Sequence, residues 1–130
     1  MAGLDLRTTF LHLTETLDVE GVPVTDDFWS KIGERTDLHD GRLMMVCPET
    51  KTWDRWERHP NGDEVVMLLT GSLELVFELA DGEKNLLLAP HEAIVVPRGI
   101  WHRGIVHEPG SALFITPGKG TEYRAVWWLG

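Results

Sequence analysis

Four side chains carry the chemical interest of this sequence. Glu57, His59 and Glu64 lie in the stretch Glu57-Arg58-His59-Pro60-Asn61-Gly62-Asp63-Glu64, and His102 ends the run Pro97-Arg98-Gly99-Ile100-Trp101-His102. Two imidazoles and two carboxylates at these spacings could converge on one metal ion. Carboxylate oxygen and imidazole nitrogen together suit iron, manganese, nickel or zinc. Glu57 and His59 are two residues apart, so on an extended strand they share a face, and if that face is interior both reach one point. Pro60-Asn61-Gly62 then reads as a turn whose proline keeps His59 extended. The following strand starts at Glu64, and His102 shares a face with Ile100 and Gly104, where a glycine leaves room for a ligand or a close backbone approach.

The elements that must position these groups are strands. From residue 41 onward, short apolar runs alternate with glycine, proline and acidic turns, the pattern of an antiparallel all-β domain folded as a sandwich or barrel. The expected strands are 42–48, 52–59, 64–70, 72–79, 84–88, 92–96, 101–107, 111–115 and 122–128. Asp81-Gly82 signals a tight hairpin, and Thr70-Gly71-Ser72 a second sharp reversal. Before them, Thr25 is a candidate N-cap for a short helix running to Ile32 with Gly33 as its stop, docked through Phe28 and Trp29. Phe10-Leu11-His12-Leu13 reads as an edge strand.

Alternation also assigns faces. Leu73, Leu75, Phe77 and Leu79 form one apolar face against Glu74 and Glu78, and that face should line the interior. Between Glu64 and Thr70 both faces are apolar, with Val66 and Leu68 on one and Val65, Met67 and Leu69 on the other. A strand buried on both sides needs an outer layer, which either a second sheet or a partner subunit could supply, and on this ground a homodimer is expected. By parity Trp53 lies near Glu57 and His59, whereas Trp56, Trp101, Trp127 and Trp128 read as core or interface residues.

Composition bounds the rest. The sequence has 130 residues with 12 basic and 21 acidic side chains, a net charge of −9, which disfavours nucleic acid and anionic membrane as partners because phosphates would be repelled. The length fits one compact domain over 1–130. The lone Cys47 sits in an apolar run and reads as a buried core thiol in a reducing compartment. No apolar stretch approaches the roughly 20 residues of a membrane span, and the first residues lack the features of a secretion signal, so a cytoplasmic location is expected.

On these motifs the chain resembles a small, single-domain member of the cupin superfamily. His59, Glu64 five positions later and Gly71 seven further on match the first cupin motif, with Glu57 where its first histidine usually stands. Pro97, Gly99 and His102 match the second, in which His91 replaces the opening glycine and Val106 the closing asparagine. The resemblance covers roughly residues 42–116, leaving an amino-terminal extension over 1–40 and a last strand at 122–128. It implies an antiparallel β-barrel of jelly-roll type, with His59, Glu64 and His102 around a divalent metal in the barrel mouth and Glu57 as fourth ligand. A second carboxylate favours harder ions, iron(II) or manganese(II), ahead of zinc(II).

The resulting expectation is a metal-dependent enzyme on a small organic molecule, such as a dioxygenase, isomerase or decarboxylase. Its pocket is drawn from Trp53, Val66, Leu73, Leu75, Phe77 and Ile100. Two other readings stand beside it: a non-catalytic barrel that binds or senses a small ligand, and a metal-free barrel in which Glu57 and His59 form a hydrogen-bonded pair for proton transfer. Plainer roles are also assigned. Glu57 could pair with Arg55 or Arg103, Asp63 with turn amides, and His12, His39, His91 and His107 with solvent or hydrogen-bonding neighbours.

Overall fold

The computed structural model describes residues 1–127 and builds them from strands. β1 (Thr9–Leu13), β2 (Val19–Pro23), β3 (Arg42–Glu49), β4 (Arg55–Arg58), β5 (Glu64–Leu79), β6 (Gly82–Leu88), β7 (Ala93–Val96), β8 (His102–Thr116) and β9 (Glu122–Ala125) form one antiparallel sheet. Its path runs β2-β1-β3-β8-β4-β9, and β5 joins β8 while also pairing with β6 and β7. The fold is an all-β, cupin-type jelly-roll barrel.

β5 and β8 are the frame. They pair along nearly their whole length, from Val65↔Ile115 to Phe77↔His102, with register shifts around Thr70 and Ser72. The reversal expected at Thr70-Gly71-Ser72 is therefore not a turn but an irregularity inside one 16-residue strand. Gly71 has φ +87°, and a Cβ there would stand 2.6 Å from the Glu108 carbonyl oxygen. Across from it, a Cβ on Gly110 would meet the Thr70 carbonyl oxygen at 2.0 Å, so the two glycines let the kinked backbones touch. For the same reason the strands expected at 101–107 and 111–115 are one, β8. The Asp81-Gly82 signal does close a tight hairpin, with Leu79 opposite Gly82.

The inward faces of these strands make the core. Val66, Leu73, Leu75 and Ala112 have no solvent exposure, and Phe10, Phe28, Leu38 and Leu43 close the same cluster from the amino-terminal segment. That segment is not the expected helix. It runs through turns at 26–31 into single 3₁₀ turns at Ile32–Glu34 and Thr36–Leu38, because the stretch ahead of Gly33 is too short to sustain an isolated helix. Phe28 nevertheless docks as expected, its ring edge-on to Phe10 at 5.3 Å between centroids. β1 is not an edge, since β2, absent from the sequence reading, covers its outer side. β9 ends at Ala125, and Trp128 lies outside the described residues.

Candidate metal centre

The barrel brings the four groups together from three strands and a turn. Glu57 on β4 lies directly opposite His102, the first residue of β8. His59 follows β4 by one residue, and its carbonyl accepts from the Gly99 amide at 3.0 Å, which ties the Pro60 turn to the Pro97-Arg98-Gly99 turn. Glu64 opens β5. His59, Glu64 and His102 are buried at 4%, 2% and 0% exposure, while Glu57 keeps a quarter of its side chain open to the cavity.

The protons on the two imidazoles follow from their outer partners. His102 Nδ1 faces the Ile100 carbonyl oxygen at 3.0 Å, which can only accept, so Nδ1 carries the hydrogen. His59 Nδ1 lies 2.9 Å from Thr121 Oγ1, whose own hydrogen goes to the Gly118 carbonyl, so again Nδ1 donates. Both Nε2 atoms are thereby left to face the carboxylates. His102 Nε2 is 3.0 Å from Glu64 Oε1; His59 Nε2 is 3.2 Å from Glu64 Oε2 and 3.9 Å from Glu57 Oε2. Thr116 Oγ1 donates to Glu64 Oε2 at 2.6 Å.

Electrostatics follow the same pattern. Burial pushes Glu64 upward, but the hydrogen bond with His102 and the charges of the two neighbouring imidazoles outweigh it and hold the carboxyl down at about 2. Burial likewise works against a proton on His102, yet Glu64 raises it above the ordinary imidazole value. Glu57 is raised, first by burial and then by the neighbouring Glu64 charge.

These residues fit a divalent ion. Ligand atoms of Glu57, His59 and His102 all lie within 4.8 Å of one another, and His59 Nε2 is buried with no hydrogen-bond partner among the described residues. A buried ring nitrogen left without a partner, beside two carboxylates, is a position that a cation or a proton must fill. Glu57 and His59 are not hydrogen-bonded to each other at 3.9 Å.

A cavity of about 800 Å³ opens beside the cluster and is lined by Glu57, His59 and Glu64 together with Leu43, Met45, Phe114 and Tyr123. None of the residues assigned to the pocket from sequence lines it. Val66, Leu73, Leu75 and Phe77 pack into the core, and Ile100 packs against it. Trp53 stands behind His102, with ring centroids 6.1 Å apart, and its indole fills the space over Gly104, where a Cβ would lie 2.8 Å from Trp53 Cε2. The room left by Gly104 thus serves a tryptophan and not a ligand. Asp63 points away and accepts from the Arg98 amide at 2.8 Å.

Two cavity groups were not assigned to the site from sequence. Cys47, expected as a buried core thiol, is instead half-buried at the cavity wall, its thiol pushed up to about 12 by burial and by Glu49, Glu57 and Glu64. Glu49, 8% exposed, accepts from Trp53 Nε1 at 2.8 Å, and burial raises its carboxyl to about 7. Leu43, Met45, Cys47 and Glu49 alternate along β3, so strand parity was the available signal.

Known structures share this barrel. Peruvianin-I, a cysteine peptidase from Thevetia peruviana latex, superposes with a TM-score of 0.54 at 18% identity over 65% of this chain and 56% of its own. An oxalate oxidase in complex with glycolate gives 0.52 at 17% identity over 63% and 45%, and a hydroquinone 1,2-dioxygenase from a Sphingomonas species with 4-hydroxybenzoate bound gives 0.51 at 16% over 58% and 59%. The chain thus spans about half the length of these proteins, and at such identities the likeness shows the fold alone. No family model matches the chain, and no curated protein matches it. No helix among the described residues is long and apolar enough to cross a membrane.

Proposed function

We propose that this barrel holds a divalent metal at Glu57, His59 and His102 and acts on a small organic molecule bound in the adjoining cavity. Glu64, about 3 Å from both ring nitrogens, completes the donor set. The observation that carries this reading is the pair of Nε2 atoms, turned inward by Thr121 and Ile100, around a point that Glu57 also reaches. Two carboxylates beside two imidazoles favour iron(II) or manganese(II), with zinc(II) next. Such an ion would draw charge from substrate oxygens, the help that a dioxygenase, isomerase or decarboxylase needs. The protein's own share is to fix both imidazoles, to shield the centre with buried apolar walls, and to offer Glu57 as the most accessible of the four groups.

The reading is tested by titrating chelator-treated protein with cobalt(II). One equivalent should bind with visible absorption bands, and His102→Ala should abolish them; saturation of the variant like that of the wild type would sink the site.

We also infer a homodimer, in a reducing, cytoplasmic setting that suits the unpaired Cys47. Its support is an outward apolar row in which Leu11, Met44, Ile115, Val65 and Val95 stand side by side across β1, β3, β8, β5 and β7. Val95 is 57% exposed and none of the five is fully covered.

A further inference from the structure

The inward face of β4 carries one more group. Arg55, Glu57 and His59 alternate toward the cavity, while Trp56 turns the other way into a second apolar cluster with Val76 and Val126. The Arg55 guanidinium lies over the Tyr123 ring, 3.7 Å from its centroid, and Tyr123 is the cross-strand neighbour of Glu57. Stacking on an aromatic face fixes the plane of a guanidinium without consuming its hydrogen-bond donors.

Arg55 differs from the other arginines of this cavity. Arg7 is tied to Asp5 at 2.8 Å and Arg35 to Asp37 at 2.9 Å, so their charges are spent locally. Among the described residues no carboxylate oxygen lies within 4.0 Å of the Arg55 guanidinium, nor of Lys119, which also reaches the cavity. In a chain of net charge −9, two cations with no carboxylate that close among the described residues therefore stand at the wall of a cavity whose other end is a carboxylate–imidazole cluster, and the Arg55 charge lowers the Glu57 carboxyl.

We infer that Arg55 anchors the carboxylate of the ligand, so that the barrel takes small organic acids, with the acid end on Arg55 and the rest of the molecule directed at Glu57, His59 and His102. The inference rests on the cavity being the ligand site proposed above. Arg55 and Glu57 are two residues apart on one strand, a separation of about 7 Å, which a compact molecule spans. The fork of a guanidinium matches the two oxygens of a carboxylate, and the apolar wall of Leu43, Met45 and Phe114 suits a hydrocarbon body. Arg55 is a specificity-determining residue in this scheme, and Tyr123 positions it.

The experiment measures binding of benzoate, phenylacetate and 3-phenylpropanoate, each against its uncharged primary amide, to wild type, Arg55→Gln and Arg55→Lys by ligand-observed NMR. Cobalt uptake is measured on the same samples. Wild type should prefer the acids by about tenfold, the worth of a charge-assisted hydrogen bond. The preference should vanish in Arg55→Gln and return in part in Arg55→Lys. Equal binding of acid and amide to wild type, a preference unchanged in Arg55→Gln, or no binding of any acid up to millimolar concentration would overturn it. An Arg55-dependent preference in protein that takes up no cobalt would keep this inference and remove the metal, whereas normal cobalt uptake without the preference would do the reverse. A mere neutralising role for Arg55 beside Glu57 would leave the acid-to-amide ratio near one in wild type.

Discussion

Glu64 Oε1 lies 3.0 Å from His102 Nε2, with the glutamate side chain 3% exposed and the histidine not exposed at all. Because His102 Nδ1 already donates to Ile100, the contact needs either a proton on Nε2 or a metal beside it. In chelator-treated protein it is a buried ion pair, so removing one partner leaves the other charge without compensation. Glu64→Gln should lower stability by about 3 kcal/mol in denaturant unfolding at pH 6. The folded carboxyl sits at about 2, below its ordinary 4.5, so its contribution is present above pH 4.5 and lost as pH falls toward 2. Wild type and variant should therefore converge in acid; a gap that persists at pH 2 would refute the pairing.

Glu49 carries the opposite sign. Its carboxyl is raised from 4.5 to about 7, so the folded state binds the extra proton between those values and stability falls as pH rises through that window. Glu49→Gln removes the buried charge and keeps an acceptor for the Trp53 indole. We expect the variant to match wild type near pH 4 and to exceed it by about 2 kcal/mol at pH 8, read from chemical unfolding of metal-free protein. Equal pH profiles would show that Glu49 is not held protonated.

Gly104 gives way to Trp53. A Cβ at position 104 would also come within 3.1 Å of Leu73 Cδ1, so Gly104→Ala should force the indole off Glu49 and cost about 1–3 kcal/mol. Gly33→Ala, where a Cβ meets nothing within 4 Å, is the neutral control. Equal stabilities of the two variants by thermal circular dichroism would contradict the packing.

The outward row through Val65 predicts a mass near twice 14.7 kDa by light scattering, and a shift to the monomer in Val65→Lys. A wild-type monomer at tens of micromolar would remove the dimer.

The sequence spoke clearly where one strand decides its own pattern. Alternation revealed the inward face of β5, Asp81-Gly82 marked its hairpin with β6, and the resemblance to the cupin motifs implied the cluster of His59, Glu64, His102 and Glu57, whose side chains do lie side by side. It misled where a partner decides. Gly71 looks like a turn until Gly110 is seen opposite, because a bulge is a property of two strands. β2 was hidden because it is mostly exposed and contains Gly21 and Pro23, so no alternation marks it. Leu73, Leu75 and Phe77 were correctly read as inward. Inward is not the same as cavity-facing, and only the assembled strands show that the open space lies toward β3 and β4, where Glu49 and Arg55 stand.

Metal content of untagged protein purified without chelators, determined by mass spectrometry beside a His59→Ala control, tests the centre most directly. We predict close to one equivalent of iron or manganese in wild type and almost none in the variant. Wild type that is empty and refuses added ions, or a variant that retains full occupancy, would contradict a metal held by Glu57, His59 and His102.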